Sequence, residues 1–530
     1  MKISLLNRRF YLFLCFFCAC FLPRIQGFSD ETLKPKWFLS LFFISLGGCF
    51  FFFRKIFFSK SDCLCYRNKL FSHSLKQMFS LSLVLAASIE VICIILSIIM
   101  KKEGKMGVVG TFDTPGGLAV CLCIALPFCF YLYGNKKAKH RSAFFLFLGI
   151  LIIIMVILTK SRTGWLCLIF YLLSCLKERF YKYLIIRNGM FIFFVICLGV
   201  MSFLFKRGST NGRIFILEQS WELIKEKPII GHGYGSFNRE YMLKQADYFA
   251  NHKNSNYAWL ADDIRHPLNE FVLVWFEFGL LGLLLFITFF LYTIVKTLYY
   301  DDTFFYMVYL SLCSIFIFSL FSYPFTYPLT NFFFISCLLY VCIDRLWKYN
   351  INKYMYMLGL ILSMFVFIYV CVEYKYEYKW SRVMKKSFCG YSREMMPQYD
   401  KLYEHFSRNP YFLYNYTAEQ FYAERFDNAL STAKECMRYW SSYNLSLLTG
   451  DICRMSEDYD EAINFYIQAH CMCPVRFAPL EGLYYSYRNK GDMCKADSIA
   501  FIILNKKIKV TSYDVMRIKK EVEIDLNRKR

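Results

Sequence analysis

Two arginines, one histidine and three neighbouring carboxylate or amide side chains have the types and spacing to act on a substrate with an anionic leaving group. Arg162 lies in Ser161-Arg162-Thr163-Gly164-Trp165, a short turn between apolar runs, and Arg213 begins a stretch ending in GHGYGSF at Phe237. His266 heads the run RHPLNEFVLVWFEFGLLG that ends at Gly282. Guanidinium groups clamp phosphate oxygens with two parallel hydrogen bonds, which suits Arg162 and Arg213 to a diphosphate. A histidine takes a proton near neutral pH, as a base activating a hydroxyl must. Pro267 suits a first helical turn, so a helix from there places His266, Glu270 and Glu277 within about 40° of one face, with Asn269 beside them. Glu277 then falls in an apolar run, where a carboxylate needs a partner or a polar cavity. Gly231 and Gly233 permit a tight turn whose N–H groups are expected to face an anion. Singly, each residue has a plainer use: an arginine at a span end is usually a snorkelling anchor, and a loop histidine is usually incidental.

The elements that must position these residues are membrane helices. The 530 residues are 57% hydrophobic and 20% aromatic, and the apolar runs are long enough to span a bilayer. About eleven spans are expected, near 10–22, 37–53, 78–100, 117–133, 143–159, 163–176, 188–205, 271–295, 304–322, 327–343 and 354–372. The net charge of +23 belongs to basic loops between spans rather than to a nucleic-acid surface, because cytoplasmic loops collect Lys and Arg. The basic loops 54–77, 134–142 and 177–187 alternate, so all three face the cytoplasm together with the N-terminus. The turn 160–162, the loop 206–270 and everything after 373 then share the outer side. The stretch Ile214, Leu217, Trp221, Ile224 predicts an amphipathic helix lying on the membrane or on the bundle. Most of the 23 cysteines lie in apolar runs as small hydrophobes, and the Cys63–Cys65 pair lacks the partner a zinc site needs.

After Glu373 the apolar runs stop. Phe426-Asp-Asn-Ala429, Tyr459-Asp-Glu-Ala462 and Met493-Cys-Lys-Ala496 recur at intervals of 33 and 34 residues, a period that suggests tetratricopeptide-like helix pairs with an alanine at the packing point. The expected architecture is all-α: a polytopic transmembrane bundle over 1–372, an outer-face loop at 206–270 within it, and a soluble helical repeat domain over 373–530. Its six cysteines (Cys389, Cys436, Cys453, Cys471, Cys473, Cys494) are expected as buried thiols rather than disulfides.

SRTGW, then Arg213 with Trp221 eight residues on, then KPIIGHGYGSF, HPLNE and FEFGLLG, in this order, resemble the O-antigen ligase and polymerase superfamily of bacterial inner membranes. The resemblance implies a glycosyltransferase that moves a glycan from undecaprenyl diphosphate to an acceptor on the periplasmic face. The acceptor would be a lipid A core sugar, a growing glycan or a protein hydroxyl. It implies that Arg162 and Arg213 hold the diphosphate, that His266 is the base, and that Asn269, Glu270, Glu277, Gly231 and Gly233 surround the substrate. No metal, nucleotide sugar or other cofactor is implied. Leu268 stands where many relatives have a histidine directly before the asparagine. A different class remains open, a membrane-anchored repeat scaffold that recruits a protein partner. A transporter would show paired broken helices in related halves, and no such internal symmetry is visible.

Overall fold

The computed structural model of the chain describes residues 2–57, 73–100, 108–134, 139–176, 207–300, 302–346 and 353–529. The span expected at 188–205, the loop at 177–187 and the Cys63–Cys65 pair lie outside them. Every regular element among the described residues is helical. Helices α1 (Lys2–Phe21), α2 (Leu33–Phe57), α3 (His73–Ile99), α4 (Pro115–Tyr133), α5 (Lys139–Leu158) and α6 (Arg162–Leu176) come first. Next come α7 (Arg207–Glu226), α8 (Phe237–Asn251), α9 (Glu270–Leu298), α10 (Thr303–Phe321), α11 (Pro328–Leu346) and α12 (Lys353–Lys386). The chain ends with α13 (Ser392–Phe406), α14 (Pro410–Tyr422), α15 (Phe426–Met437), α16 (Tyr443–Met455), α17 (Tyr459–Met472), α18 (Ala478–Lys490), α19 (Met493–Asn505) and α20 (Tyr513–Lys529).

Two compact units emerge. The first comprises Met1–Ser202, Leu268–Glu270 and Leu285–Lys379. Its centre is α4, buried on every side from Gly117 to Cys129, with α3, α5, α6, α10 and α11 packed on it. A helix apolar all round belongs in such a position. The outer helices turn Phe50, Phe53, Ile92, Leu96, Ile150, Ile154, Phe365 and Ile368 outward. An apolar rim of this extent is matched to lipid, where each helix satisfies its own backbone. Six helices are long and apolar enough to cross a membrane, and four shorter apolar helices accompany them among the described residues. The chain is a polytopic membrane protein with an all-helical fold.

The second unit comprises Phe203–Pro267, Phe271–Leu284 and Trp380–Arg530. From α14 onward each helix packs on the next. Ala429, Ala462 and Ala496 are completely buried, and five residues before each stands a left-handed residue: Glu424, Glu457 and Gly491, at φ 61°, 64° and 89°. The repeat therefore extends beyond one alanine to the backbone of the turn. Close approach is built the same way at Tyr466, whose ring lies where a Cβ on Gly450 or Gly482 would stand. The six cysteines of this region are unpaired, with Cys436, Cys453 and Cys473 buried.

Candidate active site

Each residue of the SRTGW turn has a distinct task. Lys160 adopts a left-handed conformation at φ 55°, and the Ser161 hydroxyl accepts from the Gly164 N–H at 3.3 Å, capping α6. A Cβ on Gly164 would lie 3.0 Å from Val156 and 3.2 Å from Ala119, so this glycine lets α6 approach α4 and α5. Arg162 is the first residue of α6, where the helix N-terminus favours anions.

In the second unit, α7 carries Arg213 and is held to α8 through Phe215. That ring stacks on Tyr257 at 4.9 Å and meets Phe249 at 5.3 Å. The buried face of α7 is Phe215, Ile216, Gln219, Ser220, Leu223 and Ile224, whereas Leu217 and Trp221 are exposed. Of the apolar stripe expected at 214, 217, 221 and 224, Ile224 is buried and Leu217 and Trp221 lie on the exposed side. Gly212, next to Arg213, lies 3.9 Å (ideal Cβ) from the Cβ of Leu260, in the segment that leads to His266. Helix α7, which bears Arg213, therefore packs on the segment that precedes His266.

The glycine turn is not an anion cradle. Helix α9 breaks at Gly279, at φ 68° and ψ −172°, and the turn after α7 fills the break. His232 N–H donates to the Phe276 carbonyl at 2.8 Å and Gly233 N–H to the Glu277 carbonyl at 2.9 Å. Leu280 N–H donates to the Pro228 carbonyl at 2.9 Å, and the Glu277 carboxylate accepts from Gly235 N–H at 2.9 Å. The N–H groups of Gly231 and Gly233, expected to face substrate, are engaged by protein carbonyls, Gly231 donating to Lys227 at 3.0 Å. His232 stacks on Phe276 at 4.5 Å and pairs with the Leu223 carbonyl at 2.8 Å. Helix dipoles and hydrogen bonds broken by the kink are made good by this second segment of chain.

The stretch from His266 also departs from expectation. The helix begins at Glu270, not at Pro267, because Leu268 takes a left-handed conformation at φ 58°. His266, Glu270 and Glu277 consequently share no helical face. Within the first unit, Asn269 donates to the Leu320 carbonyl at 3.0 Å and Glu270 accepts from Phe325 N–H at 3.0 Å, so both tie down the turn between α10 and α11. His266 is half-buried, and burial pushes its imidazole down to about 3. It is neutral at physiological pH, the form that accepts a proton.

The sequence profile of the O-antigen ligase family matches residues 147–287. The similarity to that family covers this stretch, about a quarter of the chain. No curated protein matches the chain. The matched stretch runs from α5 past the Gly279 break and takes in Arg162, Arg213, His266 and the whole glycine turn.

Within the second unit, the C-terminal helices grip the part of this stretch between Asn238 and Arg265. Gln245, completely buried, donates to the carbonyls of Asp262 (3.0 Å) and Met472 (2.6 Å). Arg476 pairs with Asp262 at 2.6 Å, Ser441 N–H donates to the Asn238 carbonyl at 3.1 Å, and Lys509 reaches the Trp259 carbonyl at 2.7 Å. Arg265, adjoining His266, lies 4.9 Å over the Trp440 ring.

One polar cluster in the first unit was not anticipated. Lys36 and Glu90, each completely buried, meet at Thr111: the ammonium donates to the Thr111 carbonyl at 3.0 Å, and the carboxylate accepts from Thr111 N–H at 2.9 Å. Tyr327 lies over Gly117 and donates to Asp113 at 2.7 Å. The signal was present, since Glu90 interrupts an apolar run just as Glu277 does.

Proposed function

We propose that the protein is an inner-membrane glycosyltransferase that moves a glycan from an undecaprenyl-diphosphate carrier to an acceptor hydroxyl on the periplasmic face. The observation that carries this reading is the match of 147–287 to the O-antigen ligase profile, which takes in Arg213 and His266, with α7 packed through Gly212–Leu260 and Phe215–Tyr257 on the segment that precedes His266. In the reaction the acceptor oxygen forms a bond to the anomeric carbon as the bond from that carbon to the diphosphate oxygen breaks, with inversion. The acceptor proton passes to His266 and the diphosphate leaves with its electron pair, held by Arg213. Arg162 takes the same role in this proposal on the strength of its motif alone. A neutral, desolvated imidazole is a weak base in the free protein. The bound diphosphate raises its basicity, since an anion nearby favours the imidazolium.

The repeated alanines and left-handed turn residues support a tetratricopeptide-like assignment for the domain at 373–530. Alternation of the basic loops supports a cytoplasmic N-terminus and a periplasmic C-terminal domain.

The test is replacement of Arg213 or His266 by Ala in cells, following lipid-linked and transferred glycan together. Accumulated lipid-linked glycan with loss of transferred glycan is expected. Unchanged transfer at a normal protein level refutes the assignment.

A further inference from the structure

The turn between α7 and α8 points its most apolar residues away from the protein. Ile229 is 60% exposed, Ile230 82% and Tyr234 88%, although the same turn is seated firmly in the break of α9. Side chains so apolar and so exposed are stabilised only by another apolar surface. They continue one that α9 already presents. The Tyr234 ring lies 6.3 Å from that of Phe278, and Phe278, Leu281 and Leu284 turn outward from α9, a helix long and apolar enough to cross a membrane. At the start of the turn, the Trp275 indole donates to the Pro228 carbonyl at 3.1 Å and packs edge-to-face on Trp221 at 5.1 Å. Amphipathic rings of this kind collect where hydrocarbon meets water.

Two further observations set the depth. Beyond the break, the nineteen residues Leu280–Leu298 rise about 28 Å, enough to cross the hydrocarbon core unaided. The break, and the turn seated in it, therefore stand at the edge of that core. Irregular backbone is tolerated near lipid only where its polar groups are satisfied. Here the N–H groups of Gly231, His232 and Gly233 donate to the carbonyls of Lys227, Phe276 and Glu277, and that of Gly235 to the Glu277 carboxylate. Lys227, exposed and next to Pro228, has the length to keep its ammonium among headgroups. We propose that the turn 228–235 is seated in the bilayer, with Ile229, Ile230 and Tyr234 at the boundary between headgroups and acyl chains. The occupant of this apolar surface is phospholipid, favoured over a second copy of the chain by continuity with the outward face of α9. The polar interval 206–270 is thereby anchored to the membrane at its middle as well as at its ends. Lipid contact at the turn requires only that α9 spans the membrane, and is independent of glycosyl transfer.

The experiment places the photo-crosslinking residue p-benzoylphenylalanine singly at Ile230, Tyr234, Leu281 or Asn489 of the full chain, in nanodiscs of phosphatidylcholine with phosphatidylglycerol. All four side chains are exposed, so the label displaces no core contact. Leu281 serves as the lipid-facing control on α9, and Asn489 as the polar control on α18. Lipid adducts are counted by mass spectrometry after irradiation. Adducts at Ile230 and Tyr234 should be as abundant as at Leu281 and about tenfold above Asn489, the ratio that burying one isoleucine-sized side chain gives. Ile230→Asp should lower the adduct at Tyr234 about tenfold by the same reasoning, while the adduct at Leu281 is unchanged and reports an intact fold. Ile230→Ser, which adds no charge, should lower it less. Adducts at Leu281 without any above the Asn489 level at Ile230 and Tyr234 overturn the proposal. So do adducts at Ile230 or Tyr234 to a second copy of the chain or to another protein in place of lipid. A Tyr234 adduct indifferent to Ile230→Asp overturns it as well.

Discussion

Replacing Gly279 by Ala should be among the most damaging single changes in the chain, and its size follows from two observations. The residue has φ 68° and ψ −172°, a region essentially reserved for glycine, where a side chain costs about 1–3 kcal/mol. Its new Cβ would also stand 2.0 Å from the Ile229 carbonyl oxygen, 2.3 Å from the carbonyl carbon and 2.6 Å from the Ile230 nitrogen. These are backbone atoms and cannot swing aside, so the turn must withdraw from the break in α9. Withdrawal forfeits the bonds from His232, Gly233 and Leu280 and the Gly235–Glu277 contact, each contributing about 1 kcal/mol and leaving carbonyls at Phe276 and Glu277 unpaired. The total is roughly 4 kcal/mol or more. Gly231→Ala should match it, because its Cβ would lie 2.5 Å from the Gly279 nitrogen. Gly233 and Gly235 have positive φ but nothing within 4 Å of an added Cβ, so Ala there costs only the backbone term of about 1–2 kcal/mol. Denaturant unfolding of the purified protein in detergent measures the series. The double variant Gly231→Ala with Gly279→Ala should cost little more than either single change, since the first already opens the turn. Equal losses at Gly231 and Gly233, or full additivity of the pair, would refute this account.

Gln245→Leu should destabilise the second unit by about 2–4 kcal/mol, because it strands two carbonyls, and limited proteolysis should then cut earliest within 251–262. Deleting 380–530 should abolish transfer in membranes rather than merely reduce it, since Asp262, Asn238 and Trp259 lose their partners; retained transfer refutes the clamp. Burial, with the nearby Lys506 charge, lowers His470 to about 4. The unfolded chain therefore takes up a proton near pH 6.5 that the folded protein does not. Stability falls as pH drops from 6.5 toward 4, by about 3 kcal/mol in all, and is unaffected by this group above 6.5. Unfolding midpoints of His470→Phe should lose that part of the pH slope. Glu457→Gly should raise the unfolding midpoint by roughly 0.5–1 kcal/mol, relieving a left-handed glutamate at a place where the next repeat has Gly491.

Periodic features were legible in the sequence and contact-dependent ones were not. Ala429, Ala462 and Ala496 announce a repeat because a small residue at a fixed interval is a local signal, and all three are buried. The phase of α7 misleads because a polar residue, Gln219, occupies a buried place while Trp221 is exposed. The start of α9 misleads because the backbone of Leu268 turns left-handed, a choice that leucine's own preferences oppose and that only its surroundings enforce. Such strain sits one residue from Asn269 and two from His266, where held, sparsely populated backbone is common in functional segments.

GHGYG and FEFG were each visible as unusual, yet their meaning lies in each other. Gly231 and Gly279 are complementary because each leaves the space the other's backbone fills, and Glu277 within the broken helix answers the N–H of Gly235. A motif rich in glycine near an arginine invites a phosphate reading, since free N–H groups attract anions. The deciding question is whether those N–H groups are free, and here they are hydrogen-bonded to carbonyls and to Glu277. Under the proposed function, recognition of the diphosphate in the second unit then falls to a side chain, that of Arg213. It also explains the cost of a mobile loop being avoided. The segment carrying His266 is fixed at Asp262 by Arg476 and Gln245, and at Arg265 by Trp440. Under the proposed function, His266 as base and Arg213, held on segments pinned from the α9 break and from the C-terminal helices, need little ordering when substrate arrives, which is the condition for orientation to contribute to rate.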